Sequence, residues 1–467
     1  MNTKNTKEQR RFVPRAFWIS MLLAGGCRAQ SLMPDGCPVF HCNIEATSVI
    51  FQPLVATVST VTSNSSLGIL PKQGCSGNGT TLTCLFSTDN ATGLAQGTLK
   101  MLDATTLQPI WGSAGAADSY NLNAPSSSDG QVPVNFGNGT IAAGDSRYMV
   151  RYSSEGAVIR KLALSGNALN FGLTPISNTY AVDSQENGVL TLVDLATWTS
   201  AGTLVLVEPS TGDSLQLVSP SSAATNVLYA VAENKANGNG YLFSVTVNPS
   251  TKKLQVSSVF PFTGQSGASP VVVTPSVSGL STNLILLHVP GLIGDSQPQN
   301  RLLGLTDTGT SLQQLWAVSL SAPLVVSPTV DQGSKSLFYH QNYSPIIYRN
   351  QLLTGAPMRS YNVQGLAGGG TLSLNAHLAA TQSGSVFTLL MAGAYTSPIT
   401  GIDTEVVIAF QPIASPGALM WSIPISSPAE NLAAWNFAPS SETGVVCPIA
   451  ITDNVSGDSA IIRLCDF

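Results

Sequence analysis

The chain has 467 residues, 43% of them hydrophobic and only 10% charged, with a formal net charge of −5. That apolar content excludes a wholly disordered polypeptide, and a weak net charge with no Lys/Arg cluster beyond residue 15 excludes an electrostatic footprint for nucleic acid. Globular proteins ordinarily carry about 25% charged residues; here Ser, Thr, Asn and Gly take their place, types that favour turns and strand surfaces over helix interiors.

The first element in chain order is an export signal. Lys4, Lys7, Arg10, Arg11 and Arg15 precede an apolar run, Ala16 to Gly26, that is too short for a bilayer span of about 20 residues and fits a signal-peptide core. Cleavage after Ala29, with small residues at Cys27 and Ala29, assigns residues 1–29 to the signal peptide. Alternatively, Leu22 to Cys27 resembles a bacterial lipobox, departing from it at Ala24, which makes Cys27 a candidate lipidation site. No later segment reaches 18 uninterrupted apolar residues, so no transmembrane span is expected in the mature chain. Setting Cys27 aside, six cysteines fall in three close pairs: Cys37 with Cys42, Cys75 with Cys84, and Cys447 with Cys465. Six cysteines allow 15 connectivities; proximity favours these local ones, and the spacings do not suit a zinc knuckle. Structural disulfides imply an oxidising compartment, hence a secreted, periplasmic or cell-envelope protein. The six Asn-x-Ser/Thr sequons, Asn78 and Asn138 among them, are the number expected by chance in so Ser/Thr-rich a chain.

Beyond residue 30 no 3.6-residue apolar period is sustained. Short aliphatic runs recur between Gly, Pro, Asn, Asp and Ser, as in Leu204–Val207, Val271–Val273, Leu284–Leu287 and Val406–Phe410, which predicts an all-β fold. A repeat is visible in these runs: a strand, a Ser/Thr/Gly turn, and a second strand ending near Trp. It is seen in Leu99 to Trp111, in Arg301 to Trp316, and from Val406 through Gly417 to Trp421. Weaker copies lie at Tyr148–Leu164, Leu204–Leu217, Tyr241–Val256 and Ile347–Val363. Ala268–Ser276 resembles Ala322–Thr329 and reads as the inner strand that opens a unit. Hairpin centres near 105, 155, 210, 249, 309, 354 and 413 are spaced by roughly 51 residues, the size of one four-stranded propeller blade. The prediction is a β-propeller of eight blades, or alternatively seven. The terminal strand Ala460–Leu464 would be completed by Ser48–Ala56, closing the ring between the N- and C-terminal strands. In domain terms, residues 30–69 form a disulfide segment with the closing strand, and 70–467 the propeller.

The repeat resembles that of the quinoprotein-type (PQQ-like) β-propeller family, on Leu102-Asp103…Trp111, Thr306-Asp307-Thr308-Gly309…Trp316 and Phe410…Gly417…Trp421. The resemblance implies that the Trp residues pack between blades. The family includes alcohol and sugar dehydrogenases that hold a quinone and calcium at the axis, and also non-catalytic scaffolds of the outer membrane. No Cys-Cys pair and no alignable Asp/Glu/Asn set is present here, so no cofactor is predicted.

Other constellations are sparse. His41, His288, His340 and His377 show no metal-binding spacing and read as loop or core residues. Asp183 to Gly188 and Asp453 to Asp458 offer oxygen ligands in turns but read as solvated turn chemistry. The candidate recognition loop is Tyr339, His340, Gln341, Asn342 and Tyr343, whose aromatic and amide side chains suit a sugar or protein ligand; Trp435-Asn436 is a second candidate. The functional expectation is a non-catalytic propeller that binds a protein or polysaccharide of the envelope or exterior. The alternative is a divergent quinone-dependent dehydrogenase or a glycan-active propeller enzyme.

Overall fold

The computed structural model describes residues 48–64, 75–88, 96–111, 122–123, 133–144, 147–165, 170–219, 221–264, 266, 268–290, 300–324, 327–367, 370–376, 378–401, 403–414, 417–425, 431–440, 445–453 and 460–466. Residues 1–29, Cys37, His41 and Cys42 lie outside them, and with them the expectations about the signal peptide, Cys27 and the first cysteine pair. Almost every described element is a strand; a one-turn helix, Pro275–Ser278, and a 3-10 turn, Gln364–Ala367, are the exceptions.

The strands form eight sheets, built mainly from antiparallel meanders, which are the blades of a β-propeller. In chain order they span 75–123, 134–163, 170–205, 216–263, 271–320, 329–362, 371–425 and 431–465. The first strands of neighbouring blades touch one another, so they line the axis and the fourth strands form the rim. Because each sheet is covered on both faces, its central strands read as continuous apolar runs. In the third blade Val182, Leu190 and Leu192 pack toward Leu228, Ala230 and Phe243 of the fourth. Their strand neighbours Ala181 and Val193 pack back on Ala142 and Met149 of the second. The core is therefore a set of wedges between blades.

One local device recurs. Six blades carry a one-residue bulge in the fourth strand, with Ile159, Ala201, Ser257, Leu315, Met358 and Met420 as the extra residues. A bulge adds twist and disrupts pairing on an exposed edge, and so protects the rim from pairing with other chains. In the third, fourth and fifth blades the preceding turn is closed by an Asp or Asn, and in the first blade Asp103 closes the matching turn: Asp103 Oδ1 accepts from the Thr105 and Thr106 amides, Asp194 from Ala196 and Thr197, Asn248 from Ser250 and Thr251, and Asp307 from Gly309. These are the Asp turns of the sequence repeat.

The Trp residues join blades. Trp111 Nε1 donates to the Ser154 carbonyl of the next blade at 2.8 Å, and Trp316 Nε1 to the Leu352 carbonyl at 3.1 Å. The Trp316 indole fits only because both neighbours lack side chains: a Cβ on Gly304 would meet it at 2.2 Å and one on Gly355 at 2.6 Å. Trp198, which the sequence repeat missed, donates backwards to the Met149 carbonyl at 3.0 Å. It marks a correction. The third blade's outer hairpin turns at 195–198, not near 210, and residues 206–215 instead connect the third blade to the fourth. The apolar pattern of Leu204–Val207 suggested a strand entering a hairpin, but this run ends the outer strand and turns inward, where Leu206 is buried.

Ring closure also differs in detail from expectation. Ala460–Cys465 pairs with Thr60–Asn64, from Thr60 opposite Cys465 to Asn64 opposite Ile461, so the eighth blade takes its fourth strand from the N-terminal side. The predicted partner, Ser48–Ala56, lies elsewhere. Val49–Ile50 adds a parallel strand to the inner edge of the seventh blade, against Ala380 and Thr381. Leu54 then bridges to Val446 of the eighth. Polar, alternately exposed Thr60–Asn64 suits a rim strand, whereas the more apolar upstream run is drawn to the axis, with Val49, Ile50, Leu54 and Val55 buried. Disulfides Cys75–Cys84 and Cys447–Cys465 each cross-link adjacent strands.

Two measurements check this architecture. Trp316→Ala should cost about 3–5 kcal/mol in denaturant unfolding, while Leu315→Ala, at the half-exposed bulge beside it, should stay within about 0.5 kcal/mol. Deleting residues 48–64 should leave Ala460–Cys465 an open edge and drive self-association in size-exclusion chromatography. A deletion variant that remains monomeric with unchanged melting temperature would contradict the closure.

Candidate functional site

The axis offers few ionisable groups. On the described first strands the one carboxylate is Asp331, buried at the end of Thr329–Asp331. Its Oδ1 accepts from the Gly333 amide at 2.9 Å and from Gln382 Nε2 at 3.1 Å, and its Oδ2 accepts from the Ser334 hydroxyl. Both oxygens are committed to the turn and to the neighbouring blade. Around it the first strands supply Val271–Val273, Thr329, Ala379–Thr381 and, from the N-terminal strap, Val49 and Ile50. Among the described residues, these groups around Asp331 do not supply the several free oxygens converging on one cation that a calcium–quinone centre needs.

A cavity of about 430 Å³ opens on the face that carries the turns between first and second strands. Three consecutive blades build it. The fifth contributes Ser276 and Val277 from its one-turn helix, the sixth Gln332 and Gly333, and the seventh Gln382, Ser383 and Gly384. Phe51 of the strap completes the wall and is 58% exposed, although Val49 and Ile50 just before it are buried. Three consecutive apolar residues on an extended chain cannot all point one way. The run Val49-Ile50-Phe51 was thus the sequence signal for this site, and its meaning depended on knowing where the strap lies.

The predicted recognition loop is mostly interior. Tyr339 is buried and stacks on Tyr348 with ring centroids 5.3 Å apart. His340 is buried with Nε2 2.9 Å from the Ala376 carbonyl oxygen, and burial lowers its pKa. Gln341 Oε1 accepts from the Ala322 amide at 2.8 Å and the Ser321 hydroxyl at 2.5 Å. The Asn342 amide donates to the Pro323 carbonyl at 2.9 Å, and only Tyr343, 62% exposed, presents an aromatic ring to solvent. The segment buttresses the sixth blade against the seventh, and three of its five side chains are withdrawn from any ligand. Trp435 is likewise buried. His288 accepts from the Leu324 amide at 3.2 Å and is pushed down to about 4 by burial, consistent with a core residue. His377 lies outside the described residues.

Asp183 departs from its expected role as a solvated turn residue. It sits inside Tyr180–Gln185, fully buried, with Oδ1 accepting from Asn170 Nδ2 at 2.8 Å, and burial pushes its carboxyl up to about 7. Glu405 in the seventh blade is similar: burial raises it to about 8, and its Oε1 has no hydrogen-bond partner. Glu208, after the third blade, is the opposite case. The Tyr241 hydroxyl, Asn234 Nδ2 at 2.7 Å, the Thr211 hydroxyl at 3.0 Å and Asn239 Nδ2 at 3.4 Å surround its carboxylate and hold it down at about 2. With both oxygens filled by donors from the connector and the fourth blade, Glu208 is a clasp rather than a ligand. Cys447, Cys465 and Asp466 lie close together, but both sulfurs belong to a disulfide.

No family model matches the chain, and no curated protein matches it. Among solved structures it is similar to a europium-containing methanol dehydrogenase, at 8% identity and TM-score 0.58 over 92% of this chain and 98% of that one. A quinohaemoprotein alcohol dehydrogenase from Pseudomonas putida HK5 aligns at 8% identity and TM-score 0.50, over 92% of this chain and 80% of that one. The computationally designed Ika8 protein aligns at 10% identity and TM-score 0.50, over 88% of this chain and all of that one. At such identities the likeness is one of fold alone, that of a β-propeller. Among the described residues no helix is long and apolar enough to cross a membrane.

The buried carboxyls give a pH test. Below about pH 4.5 Glu405 is neutral in folded and unfolded chains alike; from there to about 8 only the unfolded chain ionises, so stability falls as pH rises. Glu405→Gln should therefore gain on the wild type between pH 5 and 8, by on the order of a few kcal/mol at the upper end. Glu208 works with the opposite sign: its stabilisation is present above its ordinary value of 4.5 and is lost as pH falls toward 2. Glu208→Gln should flatten the acid limb of the same melting-temperature profile. Parallel profiles for wild type and either variant would refute that assignment.

Proposed function

We propose that this protein is an exported, non-catalytic β-propeller that binds a protein or polysaccharide in the cell envelope or exterior. The observation that carries this reading is the chemistry of the axis. On the described first strands the sole carboxylate, Asp331, already has partners on both oxygens, and the neighbouring side chains are aliphatic, hydroxyl or amide. General acid–base chemistry needs a titratable side chain within reach of a substrate proton. A fold shared with dehydrogenases does not supply one, because function belongs to the site. The two disulfides and the low charge support an extracytoplasmic location, as does the basic-then-apolar N-terminus.

The purified mature chain, incubated with pyrroloquinoline quinone and calcium or europium, should reduce no dye with methanol, ethanol or aldoses as substrate. Sustained dye reduction would overturn the non-catalytic reading in favour of a dehydrogenase. Export is checked by fractionation and N-terminal sequencing: a start at Gln30 marks plain cleavage, and a blocked, acylated Cys27 marks a lipoprotein.

A further inference from the structure

We propose that the cavity at Phe51 is a binding subsite for a neutral saccharide, an inference that rests on the binding-scaffold reading and specifies its ligand. The lining has no charged side chain; it has the hydroxyls of Ser276 and Ser383, the amides of Gln332 and Gln382, and an aromatic face. An anionic or cationic ligand would find no charged side chain among the lining residues. A polyhydroxylated ring finds both donors and acceptors, and a large apolar surface for its C–H face.

Two features show that the wall is built. First, Gln382 is buried, and donation from its Nε2 to Asp331 Oδ1 at 3.1 Å fixes its side chain in the wall. The arrangement depends on Gly333, whose Cβ would meet Gln382 Nε2 at 2.8 Å. Second, Phe51 is held exposed by a strap pinned on both sides. Val49–Ile50 is paired to the seventh blade, and the Val446 amide donates to the Pro53 carbonyl at 2.9 Å, while that of Val55 donates back to Val446 at 3.0 Å. An aromatic ring pre-positioned on rigid backbone loses little entropy on stacking. The strap also covers the inner edge of the seventh blade, which removes the free strand edge that an extended peptide would need. At about 430 Å³ the space is in the range of small-molecule sites.

The test is calorimetric titration of the full mature protein with cellobiose, mannobiose and N,N′-diacetylchitobiose, with digalacturonate as the charged comparison. Saturable binding of at least one neutral disaccharide is expected, weakened by about tenfold or more in Phe51→Ala and retained in Phe51→Trp. Gly333→Ala, which displaces the Gln382 amide, should also weaken it, whereas Tyr343→Ala on the exposed loop should not. Phe51→Ala removes an exposed side chain, so its melting temperature serves as the control for folding. Absence of saturable binding by all three neutral sugars, binding indifferent to Phe51→Ala, or preference for digalacturonate would each overturn the proposal. The scaffold reading has its own test in the dye assay: dye reduction sinks that reading whatever the sugars do, and an inert protein that also ignores the sugars loses only the saccharide assignment.

Discussion

The structure depends on one interaction between distant parts of the chain, the pairing of Thr60–Asn64 with Ala460–Cys465. A propeller blade buries both faces only if it has a neighbour on each side, so a ring missing one partnership would leave a wedge of apolar side chains open to water. The N-terminal segment makes three attachments. It adds an inner strand to the seventh blade, touches the start of the second strand of the eighth, and supplies the eighth with its rim strand. Trp421 of the seventh blade fastens the middle of this path, donating to the Val55 carbonyl at 3.1 Å. The strap and the closing strand are thus one device. Its inner end shapes the cavity at Phe51, and its outer end shuts the circle.

Within each wedge the same physical problem is solved with variations. Trp111 and Trp316 reach forward to a backbone carbonyl on the next blade, while Trp198 reaches backward. In the fourth blade Phe262 lies over Gly240 as Trp316 lies over Gly304, with a Cβ at Gly240 predicted to meet the ring at 2.1 Å. At these last two sites a flat ring on the fourth strand lies over a glycine of the third. Where the ring is an indole, its N–H is spent on an inter-blade carbonyl, which avoids leaving a buried donor unpaired.

Much of this was legible in the sequence. Alternating aliphatic runs, Asp turns and Trp residues were enough for the architecture and for eight blades, because those signals are local. The reading failed where a long-range choice decided. The closing strand was placed one segment too early because the polarity of Thr60–Asn64, which suits a rim strand, was not weighed against the apolar run Ser48–Ala56, which the axis draws in. Tyr339, His340 and Gln341 look like a polar aromatic loop, yet each finds a buried partner on another element. The cavity was hidden for the same reason, since Phe51, Gln332 and Gln382 are far apart in the chain and meet only once the ring has formed.

The strap also sets a timetable. Its partner lies far downstream, at Ala460–Cys465, so while everything between them is being made the N-terminal strand has nothing to pair with. Any product truncated before Ala460 carries both an unfilled strand and an uncovered sheet edge. Such fragments have no closed state to reach, and the apolar surface and strand edge they expose invite aggregation.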